Sequence, residues 1–160
     1  MEPSIYNTRP ATSDDRAVLV AHRELMFREM GWQSDYAEMA IHYGRWVVDA
    51  IAAGTYFGIV VTPGDDQTVV SSGGIIVVPW SPGPTTMDAR LAWIVNVYTE
   101  PAHRQRGLAR RLMNELHDWC REHAIERTAL NASAAGQPIY ESMGYTLADE
   151  PMMRYRVAGG

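Results

Sequence analysis

The chain has no lysine: all fourteen basic residues are arginine. It has one cysteine, Cys120. That excludes an internal disulfide and suits a reducing compartment. No apolar run is long enough to span a bilayer. The opening stretch, residues 1–10, lacks the basic start and apolar core of a secretory signal. The expected location is therefore cytoplasmic, with no membrane partner. A net charge of −5 speaks against general nucleic-acid affinity. Repeats, low-complexity tracts and linkers are absent too. What remains is 160 residues, 46% hydrophobic, the profile of one domain over 1–160 with a core from about 4 to 157.

Periodicity and punctuation suggest the elements. Ile5 to Arg9 reads as a strand. Thr12 or Ser13 caps a helix whose apolar stripe is Val18, Leu19, Leu25, Met26 and Met30, ended by Gly31. Ser34 and Asp35 cap a second helix from Tyr36 to Ala53, closed by Gly54. Strands follow at Tyr56–Thr62 and Thr68–Val78, joined by a turn at residues 63–66. Gly73-Gly74 inside the second implies a bulge or a close backbone approach. Pro82 and Pro84 make Trp80–Met87 a loop. A central strand spans Arg90–Thr99, then a helix from about Arg106 to His123 and a strand from Arg127 to Asn131. A short helix from Ala134 to Met143 ends at Gly144, a strand starts at Tyr145, and a last one covers Met152–Val157. The pattern is α/β: one mixed, largely antiparallel twisted sheet with helices on both faces.

The informative stretch is Trp93 to Arg111. Trp93–Tyr98 is apolar and β-branched, with Asn96 its single polar residue. Glu100-Pro101 stops the strand, and Gly107 lets the backbone approach a ligand. The helix starting there has unpaired amide protons and a positive dipole end, a ready anion site. Arg104, Arg106, Arg110 and Arg111 add charge with no acid among them.

The run R-x-x-G-x-A after V-Y-T-E-P resembles the pyrophosphate loop of the GNAT superfamily of acyl-CoA-dependent N-acetyltransferases. A second block, Leu130 to Tyr145, resembles that superfamily's A-S-x-x-G-x-x-x-Y-x-x-x-G-aromatic segment. The resemblance implies a sheet whose central strands splay. It also implies acetyl-CoA as co-substrate, no metal, and a small-molecule or peptide amine as acceptor. Amides of Gln105, Arg106, Gly107, Leu108, Ala109 and Arg110 would surround the diphosphate, with Arg104 and Arg106 adding charge. Val97, Tyr98 and Thr99 would pair with the pantetheine arm, the Val97 amide polarising the thioester. Tyr140 would be the general acid; its alternative is a core tyrosine. Asn131 and Ser133 would contact the pantetheine arm, or either would only cap the turn into the next helix. Glu29, Trp32 and Tyr36 would line the acceptor wall. Glu29, His22, Asp35 or a water chain would serve as base.

Residues 1–89 hold five arginines and eleven acids; residues 90–160 hold nine and eight. An acidic acceptor wall would favour a cationic amine; scattered solvated acids are the alternative. His117, Cys120 and His123 share one helix face, but a single helix rarely completes a zinc shell. Three other functions compete. One is a non-enzymatic acyl-CoA-binding regulatory module, supported by the lack of a carboxylate on the central strand. One is a phosphate-binding nucleotide enzyme, which would need the absent G-x-x-x-x-G-K-[ST]. The last is a nucleic-acid patch at Arg104–Arg111. Homodimerisation is a further expectation.

Overall fold

The computed structural model describes residues 5–64 and 66–158. Five strands form one sheet in the order of the chain: β1 (Tyr6–Pro10), β2 (Tyr56–Pro63), β3 (Ser71–Pro79), β4 (Arg90–Thr99) and β5 (Thr128–Leu130). The first three pairings are antiparallel and β4–β5 is parallel. The helices are α1 (Arg16–Glu29), α2 (Tyr36–Ala53), α3 (Leu108–Glu122) and α4 (Gln137–Ser142). No helix among the described residues is long and apolar enough to cross a membrane.

Strand period and helix period meet in two cores. On β2, Ile59 and Val61 face α3, whose buried stripe is Leu108, Leu112, Met113, Leu116 and Cys120. Tyr56 and Val60 face the other way, toward Leu19 of α1 and Tyr43, Val47 and Ala50 of α2. Leu112, Met113 and Leu116 are fully buried, and each such side chain contributes about 1.5–3 kcal/mol. The helix ends follow local chemistry. Thr12 and Asp15 cap each other's backbone around a single turn before α1. Asp35 accepts from the Glu38 amide at the start of α2, and Gly54 ends that helix at φ 71°.

The expected glycine pair has two separate causes. Asn96 and Val97 of β4 together oppose Gly73, so the extra residue of the bulge lies on β4. Gly74 lies under the Tyr56 ring: a Cβ there would sit 2.3 Å from the hydroxyl oxygen.

Several expectations change. β3 starts at Ser71 rather than Thr68, α3 at Leu108 rather than Arg106, and α4 at Gln137 rather than Ala134. Neither C-terminal strand forms: residues 145–158 contain no ladder. Alternation alone does not make a strand, because its amides need an edge to pair with, and β5 offers three residues. Position 65 of the expected turn, residue 4 of the expected core and the last two residues lie outside the described residues.

Candidate functional site

β4 outruns its neighbour. Pairing with β5 stops at Ile94↔Leu130, while β4 continues to Thr99 and stays paired with β3 as far as Ser71↔Thr99. One edge of β4 is thus unpaired from Val95 onward, where β5 has ended. At the mouth of this gap sits the bulge, with Asn96 at φ 58°.

Past Thr99 the chain makes a short turn over Pro101–His103 and enters α3. Gln105 and Gly107 adopt left-handed φ of 59° and 76°. Among the described residues, no amide from Gln105 to Arg110 donates a hydrogen bond; the next, Arg111, donates to Gly107 O at 3.0 Å. Consecutive free amides with alternating handedness form a concave nest for an anion. Leu108 is anchored in the core and Ala109 is half-buried, so the loop is held from below. Arg106 is exposed and has no ion-pair partner among the described residues. Arg104 differs from the expectation. Its Nη2 donates to Glu29 Oε1 at 2.6 Å, and its Nε to Thr99 O at 2.9 Å. Its charge is matched by Glu29, which raises its pKa through that bond. Arg110 donates to Ser142 Oγ.

Val97 and Tyr98 face opposite ways. Val97 packs against the α3 core, as does Tyr140 of α4. Tyr98 is buried toward α1, its hydroxyl 3.3 Å from Glu29. The Thr99 hydroxyl bonds Ser71 Oγ at 2.8 Å. Tyr140 lies over Gly136 and edge-on to Tyr145 at 5.9 Å. Its hydroxyl has no hydrogen-bond partner among the described residues, and burial raises its pKa, so the phenol keeps its proton at neutral pH. Ser133 Oγ accepts from the Gly136 amide at 3.1 Å in the turn that leads into α4, whose N-cap position is Gly136. Asn131 is exposed beside it.

Of the three base candidates, two are engaged elsewhere, while His22 keeps an Nε2 with no hydrogen-bond partner. His22 is buried, its Nδ1 2.7 Å from Ser72 Oγ and its Nε2 3.5 Å from Glu100. Burial lowers its pKa, outweighing the opposing Glu100 carboxylate. Asp35 is a helix cap and Glu29 is paired with Arg104. Trp32 is exposed at the α1–α2 connection and Tyr36 is half-buried, its hydroxyl donating to Trp32 O at 2.6 Å. On α3, His117 bonds the Tyr145 hydroxyl at 2.8 Å and Cys120 is buried. No His, Cys, Asp or Glu group among the described residues is arranged to hold a metal.

One cluster was not foreseen. Arg23 of α1 donates from Nη1 to Asn96 Oδ1 at 2.5 Å, and its guanidinium lies over the Phe27 and Tyr43 rings at 4.9 and 4.7 Å. Asn96 Nδ2 in turn donates to the Tyr43 hydroxyl at 3.0 Å. The Arg23–Phe27 spacing of four residues was the one visible hint.

An open edge on β4, a free-amide nest and a bulge thus meet at one end of the sheet, and the family is shown by comparison. The family model for the GNAT acetyltransferase family matches residues 20–145. The chain belongs to that family. A GCN5-related N-acetyltransferase from Ralstonia eutropha JMP134 is 33% identical, with a TM-score of 0.87 over 96% of this chain and 99% of that one. A predicted acetyltransferase from Clostridium acetobutylicum, solved with acetyl-CoA, is 23% identical, with a TM-score of 0.86 over 94% and 96%. Glucosamine-6-phosphate N-acetyltransferase from Arabidopsis thaliana shares the fold at 14% identity, with a TM-score of 0.71 over 94% and 97%. No curated protein matches.

Proposed function

We propose that the protein transfers the acetyl group of acetyl-CoA to a primary amine of a small molecule or peptide, by direct attack on the thioester. The observation that carries this is the run of free amides from Gln105 to Arg110 beside the open edge of β4. The amides bind the diphosphate, and Arg106 adds an unmatched charge. Val97, Tyr98 and Thr99 hold the pantetheine arm as an added strand. The Val97 amide polarises the thioester carbonyl. The amine nitrogen forms the new C–N bond as the C–S bond breaks. Tyr140 gives its proton to the departing thiolate, and the amine's proton leaves through water. Relatives support the reading: one was solved with acetyl-CoA and another is named for acetylating an amino-sugar phosphate.

The lack of a carboxylate on β4 supports a second reading, an acyl-CoA-binding module without catalysis. Calorimetry with acetyl-CoA and thiol release across an amine panel separate the two. The first reading expects binding and turnover; binding without turnover on any amine selects the second; no binding removes both.

A further inference from the structure

The Arg23 cluster has more donors than acceptors. Arg23 Nη1 donates to the cluster's one carbonyl oxygen, Asn96 Oδ1, while Asn96 Nδ2 donates to the Tyr43 hydroxyl oxygen. Two donors remain orphaned inside it. Arg23 Nε is buried with no partner, and the Tyr56 hydroxyl neighbours that of Tyr43 without meeting hydrogen-bond geometry. Among the described residues no carboxylate forms an ion pair with Arg23; its surroundings are aromatic rings and an amide. A half-buried cation without a counter-ion is costly, and buried polar atoms are normally satisfied. Desolvation lowers its pKa as such a setting requires. The cluster is joined to the bulge of β4 through Asn96, next to the residue assigned to the thioester.

We infer that Arg23 is the docking cation for an acceptor amine that also carries a carboxylate. This rests on the acetyl-transfer reading, and replaces the acidic wall expected from composition with a basic one. A planar guanidinium binds a carboxylate through paired donors. One cation matches a carboxylate's single charge; a phosphate monoester carries about −1.5 to −2.

The test compares amines of one skeleton ending in a carboxylate, a carboxamide or a phosphate ester. With wild type, kcat/KM for the carboxylate exceeds that for the carboxamide by about 10–100-fold. Arg23→Gln erases the difference, chiefly through KM, and Arg23→Lys restores part of it. Acetyl-CoA affinity is measured alongside. Equal rates for carboxylate and carboxamide overturn the inference, as does preference for the phosphate, or an Arg23→Gln defect equal for all three. If acetyl-CoA binds but no amine turns over, the acetyl-transfer reading fails separately. The Arg23 site is then decided by calorimetry with the carboxylate amine and CoA. Heat in wild type that is lost in Arg23→Gln supports it, and no heat in wild type overturns it.

Discussion

Tyr140 carries the sharpest residue-level prediction. Its hydroxyl is unengaged and its pKa is raised by burial, so Tyr140→Phe removes a proton donor and little else. Turnover is expected to fall about 100-fold with acetyl-CoA affinity unchanged; stopped assays with calorimetry check both. Unchanged turnover would leave Tyr140 a packing residue. Asp15 makes a second prediction. Arg9 donates to both its oxygens at 2.8 Å, and these bonds hold its pKa below the usual carboxylate range, against the opposing effect of burial. A depressed folded pKa gives stability that is present above the unfolded value, about 3.9, and lost as pH falls through the folded one. Asp15→Asn is expected to cost about 1–2 kcal/mol at neutral pH, because Arg9 is partly exposed and solvent screens the pair. Denaturant melts below pH 4 should then differ less between variant and wild type.

At the scale of elements, two glycines give opposite outcomes. Gly107→Ala meets no atom within 4 Å, but the residue sits at φ 76°. It is expected to lose about 1 kcal/mol of stability and, by disturbing the nest, at least about tenfold in acetyl-CoA affinity. Gly74→Ala drives a methyl into the Tyr56 ring and is expected to cost about 1–3 kcal/mol or more. It unfolds the protein at lower denaturant without touching the nest. These two also mark what the sequence made legible. Strand, turn and helix start around Gly107 were readable because each local choice is enforced within about twenty residues. The partner of Gly74 lies eighteen residues away on β2, and the partner of Arg104 on α1, so neither leaves a local trace. The Arg23 cluster draws on α1, α2, β2 and β4 at once, and no periodicity reports such a meeting. The C-terminal strands failed for the converse reason: their pattern is local, but their pairing is not.

For the whole molecule, the unfilled edge of β4 has a thermal consequence. A ligand that binds only the folded chain stabilises it by mass action, about 2.7 kcal/mol at a hundred times its dissociation constant. Acetyl-CoA should therefore raise the melting temperature by several degrees, and scanning calorimetry at rising concentration should trace a logarithmic climb. Without that guest, the edge of β4 left unpaired beyond Ile94 can accept a strand from a neighbour. Purified protein stripped of coenzyme is expected to clump on storage, and added coenzyme to keep it clear.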